Sequence, residues 1–173
     1  MSVNLVAFDL INRADPKFNT FNQKWELITD SVMGGLSTGV LEPLEENGRL
    51  YYKLSGIVNT KNNGGFIQFR SKVEFDDDDY TGIEIEYRSK GDYEKYNIHI
   101  TTRYTILPWQ YYEAKLPNND SWCFIKIPLS SFKKSHFYQP NSFSPRNIKT
   151  IGFSAIGGDF YAELDIKNIK LYK

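Results

Sequence analysis

The side chains that could perform acid–base or nucleophilic chemistry are few and widely separated in this sequence. No spacing links its two histidines, His99 and His136, to each other or to an acidic partner, and a general base needs such a partner. The single cysteine, Cys123, stands between Trp122 and Phe124, whereas an activated thiol needs an electropositive, partly exposed setting. We therefore expect a buried, unreactive thiol, and the sequence predicts a protein that is not an enzyme.

The most conspicuous charged run is acidic and could supply oxygen ligands to calcium. Four aspartates, Asp76, Asp77, Asp78 and Asp79, follow a strand-like segment that ends at Phe75. The run lacks the alternating ligands and the central glycine of an EF-hand loop. We expect a solvated loop that ends the strand, with calcium binding as the weaker alternative, and we predict no cofactor.

Three glycine pairs, Gly34-Gly35, Gly64-Gly65 and Gly157-Gly158, could suggest phosphate loops. None of them occurs before a helix in the Gly-x-Gly-x-x-Gly or Gly-x4-Gly-Lys pattern that such loops require. We expect these pairs to supply positive φ angles at turns or close approach between backbone segments.

The composition describes one domain without an overall charge. A chain of 173 residues suits a single domain over residues 1–173. Because Lys plus Arg and Asp plus Glu each total 21, no global field attracts nucleic acid or an anionic membrane. No apolar stretch approaches the roughly 20 residues of a membrane span, and Asn4, Asp9 and Asp15 interrupt any signal-peptide centre. We expect a soluble, cytoplasmic protein without membrane insertion.

The fold class follows from aromatic content and from the turns. The chain contains 12 Phe, 12 Tyr and 3 Trp, a content that suits pleated sheets. Clusters of Gly, Asn and Asp, including Lys90-Gly91-Asp92, recur at spacings too short for βαβ units, which favours antiparallel pairing. We predict an all-β, two-layer antiparallel sandwich of about ten strands, with an up-and-down barrel as the alternative.

Alternation of apolar and polar residues places the strands. The clearest strand is Gly82–Lys90, where Ile83, Ile85 and Tyr87 share one side. Similar patterns cover residues 49–55, 65–75, 96–102, 109–116, 121–127, 148–156 and 160–171, with weaker ones at 5–10, 25–29 and 36–44.

The last of these segments contains a phase defect. Its apolar residues occupy even positions up to Ile166 and odd positions from Ile169. If both runs face the core, one extra residue must be absorbed near Lys167 and Asn168, which predicts a β-bulge there.

One short N-terminal helix is also predicted. Asp15 is a good N-cap, Pro16 suits the first helical position, and Phe18 and Phe21 follow three residues apart.

The polar sides of several predicted strands carry aromatic and arginine side chains, which are enriched at recognition sites. They form one patch if neighbouring strands align them; otherwise the aromatic content alone explains them. These candidate partner-binding residues are Phe66, Arg70, Arg88, His99, Arg103, Trp109 and Tyr111.

One segment resembles the opening motif of a known family. Residues 25–39, WELITDSVMGGLSTG, are similar to that motif in the CIA30 family, the complex I intermediate-associated protein 30 domain. Further similar segments are Gly64-Gly65-Phe66, residues 80–83, 122–132, 151–153 and 158–160. The chain departs from the family at Arg88-Ser89-Lys90-Gly91-Asp92, where an Arg-Gly-Asp-Gly-like turn is common, and at Gly158-Asp159-Phe160, where Gly-Pro-Phe is usual.

The motif has two physical interpretations. As architecture, Asp30 and Ser31 can bond local backbone donors, Met33 can fill an irregular gap, and the glycine pair allows a tight backbone pass. As a recognition loop, the same residues would contact a partner. The motif candidates are therefore Trp25, Asp30, Ser31, Met33, Gly34, Gly35 and Ser37.

The resemblance implies a galactose-binding-like jelly-roll sandwich and a link to assembly of respiratory complex I, and it supplies no catalytic residues. We expect a non-catalytic, chaperone-like protein that binds assembly intermediates of a membrane complex, mitochondrial if a presequence has been removed. The alternative is a carbohydrate-binding module in which Trp109, Tyr111 and Trp122 contact the sugar and the acidic run accompanies them.

Overall fold

A computed structural model describes residues 7–90 and 96–173. Leu5 and Val6 of the first predicted strand, and the Gly91-Asp92 part of the predicted turn, lie outside the described residues. Within the described ranges, the chain forms twelve strands and four short 3₁₀ turns. The strands are β1 (Phe8–Asp9), β2 (Glu26–Thr29), β3 (Thr38–Glu46), β4 (Arg49–Val58), β5 (Phe66–Lys72), β6 (Gly82–Lys90), β7 (Tyr96–Thr102), β8 (Tyr112–Leu116), β9 (Cys123–Pro128), β10 (Lys133–Lys134), β11 (Ile148–Ile156) and β12 (Phe160–Tyr172). The 3₁₀ turns are Asp30–Met33, Lys61–Asn63, Leu129–Ser131 and Pro145–Asn147.

The strands form two antiparallel sheets that pack face to face. Sheet I has the order β3-β4-β12-β6-β9, with β1 paired to β12, and sheet II has the order β10-β8-β7-β11-β5-β2. The predicted all-β jelly-roll sandwich is confirmed. None of the helical segments in residues 7–90 and 96–173 is long and apolar enough to cross a membrane.

The core lies between the sheets because each strand turns its apolar side inward. Ile67 and Phe69 of sheet II are fully buried, as are Ile83 and Ile85 of sheet I. The rings of Phe69 and Phe153, on paired strands, stack with centroids 5.1 Å apart. The outward sides of the same strands are thereby left for polar residues.

The predicted β-bulge is confirmed in β12. The pairing of β12 with β6 shifts register between Ile166 and Asn168. Ile166, Ile169 and Leu171 are all fully buried, so the extra residue does keep both apolar runs in the core.

The predicted N-terminal helix is wrong. Instead of a helix, residues 15–18 form a turn in which Phe18 N donates to Asp15 O at 3.1 Å. Buried Asn19 then donates from Nδ2 to Ser71 Oγ at 2.9 Å and accepts at Oδ1 from Phe21 N at 2.9 Å. These hydrogen bonds to the sheet and to the local backbone replace those of a helix. Asparagine side chains commonly compete with helix formation in this way.

Candidate functional site

The motif centres on one carboxylate, that of Asp30, which is fully buried at the start of the first 3₁₀ turn. Its Oδ1 accepts from Ser37 N at 2.9 Å, and its Oδ2 accepts from Ser37 Oγ at 2.5 Å. Oδ2 also accepts from Gly65 N at 2.5 Å and from Phe66 N at 3.3 Å. The carboxylate therefore joins the end of β2, the start of β3 and the start of β5.

Two glycine pairs make room for this carboxylate. A Cβ atom at Gly35 or Gly64 would overlap the carboxyl group of Asp30. Gly34 has φ +83° with open space around it, and Gly65 has φ +124°. The expectation that glycine pairs supply positive φ and close approach therefore holds here, although nothing in the spacing connected Gly64-Gly65 with Asp30.

The donors around Asp30 set its protonation. Burial by itself would raise the pKa of the Asp30 carboxyl, but the hydrogen bonds from Ser37, Gly65 and Phe66 together hold that pKa below its usual value of 3.8. The group is thus a buried charge that is satisfied by hydrogen bonds.

The rest of the motif divides between interior and surface. Trp25 is buried and packs on Tyr52 and Phe69, each with ring centroids 5.6 Å from its own. The expectation that Met33 fills a gap is wrong, because its side chain is 60% exposed on a 3₁₀ turn whose anchor is Asp30. Ser31 remains at the surface, with its Oγ 2.7 Å from Thr29 Oγ1.

The outward side of sheet II gathers most of the predicted patch; we call it the polar face and define it by Arg70, His99, Tyr111, Glu113, Gly152 and Ser154. In the strand pairing, Arg70 and His99 stand on either side of Gly152, and His99 stands opposite Glu113. Phe66 lies at the start of β5, Arg103 directly follows β7, and Trp109 is 55% exposed in the next loop. Alternation thus predicted the outward sides of Arg70 and His99, whereas Arg103 and Trp109 lie outside the strands.

Arg88 does not belong to this patch, which corrects the prediction. It lies in β6 of sheet I, where its Nε is 2.7 Å from Asp165 Oδ2 and its Nη1 is 3.1 Å from Glu46 Oε1. Its guanidinium also lies over the Trp122 ring, 4.4 Å from the centroid. Alternation tells which side of a strand faces outward, but it does not tell to which sheet the strand belongs.

His99 is the most buried titratable group of the polar face. Its ring stacks on Tyr111 with centroids 4.2 Å apart, and its Nε2 lies 3.3 Å from Ser154 Oγ and 3.7 Å from Glu113 Oε2. His99 and Ser154 are buried, whereas Tyr111 and Glu113 are half-buried. Sequence reasoning missed Ser154 and Glu113, because only the pairing of β11 and β8 with β7 brings them to His99.

This arrangement differs from a catalytic triad. In a triad, the hydroxyl and the carboxylate engage opposite nitrogens of the imidazole, so that the acid orients the base. Here the Ser154 hydroxyl and the Glu113 carboxylate both lie at Nε2 of His99. A hydrogen bond with His99 lowers the pKa of Glu113, whereas burial raises it. The effect of His99 is the larger one, so the pKa of Glu113 lies below its usual range. The cluster therefore lacks the geometry by which a carboxylate orients a histidine toward a serine.

The acidic run is paired with cations of the same chain. Asp77 forms an ion pair with Lys173, and its Oδ1 accepts from Asp79 N at 2.7 Å. Asp78 accepts from Arg146 N at 3.0 Å, and Asp76 is exposed. Within the described ranges, no group of three or more His, Cys, Asp or Glu side chains is placed to hold a metal ion.

Comparison with protein families gives a match over most of the chain. The family model described as Complex I intermediate-associated protein 30 (CIA30) matches residues 15–166. No curated protein matches the chain.

Solved structures share the fold at low sequence identity. The family 11 carbohydrate-binding module of the cellulosomal cellulase Lic26A-Cel5E of Clostridium thermocellum is 17% identical, with a TM-score of 0.71, 99% of this chain and 95% of that chain being covered. The family 11 module from Clostridium thermocellum in complex with a β-1,3-1,4-mixed-linked tetrasaccharide is 18% identical, with a TM-score of 0.66 and coverage of 85% and 87%. A family 30 carbohydrate-binding module is 15% identical, with a TM-score of 0.57 and coverage of 98% and 88%. At these identities, the similarity shows the fold alone.

The two glycines of the motif should respond differently to alanine. Gly34→Ala meets open space but forces a left-handed backbone on alanine, so we expect a loss of about 1 kcal/mol in unfolding free energy. Gly35→Ala places Cβ on the Asp30 carboxyl, so we expect a loss of about 3 kcal/mol or more. Urea unfolding measures both. Equal losses for the two variants would contradict the packing of Gly35 against Asp30.

The Asp30 carboxylate should make stability depend on pH. Because its folded pKa is lowered, its contribution is present above the unfolded pKa and is lost as pH falls through the folded pKa. We expect Asp30→Asn to lower the free energy of unfolding by roughly 2 to 3 kcal/mol near neutral pH. This gap between variant and wild type should shrink below about pH 4. Chemical unfolding over this pH range measures the gap. Exposed Asp76 supplies the control Asp76→Asn, which should change little; a gap for Asp30→Asn that is constant with pH would overturn the assignment.

Proposed function

We propose a function from one premise: the chain belongs to the CIA30 family. On that premise, it is a non-catalytic, chaperone-like binding protein that holds protein assembly intermediates of a membrane complex of the respiratory complex I type. It acts in the cytoplasm, or in mitochondria if a presequence is removed.

The observation that supports binding over turnover is the polar face of sheet II. This face carries an arginine, Arg70, and an aromatic ring, Tyr111, and these two side-chain types are enriched at protein interfaces. His99, the nearest group to a general base, is buried beneath Tyr111 and has Ser154 and Glu113 at the same nitrogen. These side chains can anchor a partner through hydrogen bonds and ring contacts.

The exposed part of the motif turn supplies apolar contact area at the surface. Val32 is 72% exposed and Met33 is 60% exposed, while Asp30 holds the turn that carries them. In this proposal, the turn is a second contact point, and the buried residues of the motif serve only to hold it in shape.

Affinity purification from the source cells tests this function. We expect the tagged chain, in mild detergent, to recover subunits of a respiratory or photosynthetic membrane complex above the level of an untagged control. Arg70→Ala combined with Tyr111→Ala should reduce the recovery, because both side chains lie on the polar face. The matched control, Arg49→Ala combined with Tyr161→Ala, removes one arginine and one exposed tyrosine from sheet I. Recovery of no such subunits would overturn the proposal.

Carbohydrate binding is the second candidate function, and one observation favours it. Exposed Trp109 lies two residues before Tyr111, so an aromatic surface stands at one margin of the polar face. Aromatic side chains of this kind can stack on sugars, and solved structures of similar fold include carbohydrate-binding modules.

Calorimetry with the β-1,3-1,4-mixed-linked tetrasaccharide separates the two candidates. Under the assembly function, we expect no saturable binding with or without added calcium. Saturable binding that is lost in Trp109→Ala but kept in Phe124→Ala would favour the carbohydrate function instead. Phe124 is a suitable control because it is 52% exposed in β9 of sheet I.

A further inference from the structure

A groove of about 580 Å³ opens beside the polar face and has a basic lining. Its floor includes Thr101 and Thr150, whose hydroxyl oxygens are 2.5 Å apart, and Thr150 pairs with Lys72. The cations that line it come from three separate parts of the chain: Arg70, Lys72, Arg103, Arg146 and Lys149. One lining residue, Glu74, is acidic.

The charge of the groove contrasts with the charge of the chain. The formal net charge of the whole sequence is +0, so this excess of cations is a local feature. Among the described residues, Arg70, Lys72, Arg103 and Lys149 have no carboxylate within 4.0 Å, the distance that defines an ion pair. Cations gathered in a concave surface raise the local concentration of anions.

The backbone around two of the arginines shapes their surroundings. Arg70 stands opposite Gly152, where a Cβ atom would lie 2.8 Å from the Cβ of Arg70, so the glycine makes room for the arginine stem. Arg103 donates from its backbone N to Asn147 O at 2.9 Å and from Nη2 to Arg146 O at 3.2 Å. The hydrogen bond from Nη2 partly orders the Arg103 side chain, which lowers the entropy that binding would cost.

We infer that the groove binds an acidic peptide segment of the partner protein. This inference rests on the proposed function as a protein-binding assembly factor. Guanidinium groups pair with carboxylates through two parallel hydrogen bonds, and lysines add point charges. The chain itself already places one carboxylate at the groove, because Asp78 lies 3.6 Å from Arg146 Nε and accepts from Arg146 N.

The lack of a free aromatic face among the described lining residues favours a peptide over a sugar or a nucleic acid. Binding of sugars and bases usually includes a free aromatic face on which rings can stack. Phe21 is the single aromatic side chain among the described lining residues, and it is packed against Phe8 at 5.0 Å and Phe75 at 5.3 Å. Carboxylates on a flexible chain need no such face.

Fluorescence anisotropy with a labelled peptide of eight glutamates tests the inference. We expect saturable binding to the full chain that weakens as salt rises from about 50 to about 500 mM, because salt screens charges at this surface. Lys72→Glu combined with Arg103→Glu should weaken binding by about tenfold or more. Lys72→Ala combined with Lys149→Ala is a milder variant, since both lysines are exposed, and it should weaken binding in the same direction.

The control variant changes the same charge elsewhere. Lys17→Glu combined with Lys61→Glu alters two exposed lysines outside the groove and should bind the peptide as the wild type does. Equal weakening in the groove and control variants, absence of binding, or tighter binding of an oligogalacturonate or a short oligothymidylate of equal charge would each overturn the inference.

Affinity purification separates failure of this inference from failure of the proposed function. If the groove variant recovers membrane-complex subunits as fully as the wild type, the inference is wrong and the assembly function stands. If neither protein recovers such subunits, the assembly function is wrong. We expect recovery by the wild type and by the control variant, and a severalfold loss for the groove variant.

Discussion

The buried carboxylate of Asp30 is the interaction on which the surrounding structure depends. A charge without solvent is tolerated only when hydrogen-bond donors surround it, and three of its four donors are backbone N–H groups of Ser37, Gly65 and Phe66. Those donors reach the carboxylate only because the backbone passes closely at Gly35 and Gly64. The aspartate and the two glycine pairs therefore form one unit. Asp30 and Gly34-Gly35 follow β2, whereas Gly64-Gly65 directly precede β5.

This unit also affects the polar face of sheet II, because its hydrogen bonds from Gly65 and Phe66 lie where β5 begins. Side chains in a strand alternate between faces, so a shift by one residue would turn Arg70 and Lys72 into the core. With Phe66 N bonded to Asp30, β5 pairs with β11 so that Arg70 meets Gly152, and β7 brings His99 to the other side of that glycine. The anchor at one end of the sandwich thus sets the register of side chains at its outer surface.

The sequence predicts those features that depend on one strand at a time. Alternation located the strands and the bulge near Lys167, because burial of one face leaves a period of two in the residues. Alternation could not predict features that depend on contacts between two distant segments. The helix expected from Asp15 and Pro16 gives way to contacts of Asn19 with Ser71, and Arg88 belongs to a sheet that only the pairing of β6 with β12 reveals. The basic groove is a further case, since its cations come from separate segments.

The two outer faces of the sandwich use their charges differently, and this difference indicates which face is available to a partner. On sheet I, Arg88 is paired with Asp165 and Glu46, Lys53 lies 2.9 Å from Glu163, and Lys167 lies 4.0 Å from the centroid of Trp122. These cations already have partners, so a new anion would have to displace those partners.

On sheet II, the groove cations other than Arg146 have no ion-pair partner among the described residues. A binding partner gains more by pairing a cation that has no partner than by exchange, because exchange breaks one ion pair for each ion pair that it forms. Under the proposed function, sheet II is therefore the side that binds the partner, while the ion pairs Arg88–Asp165 and Lys53–Glu163 join neighbouring strands of sheet I.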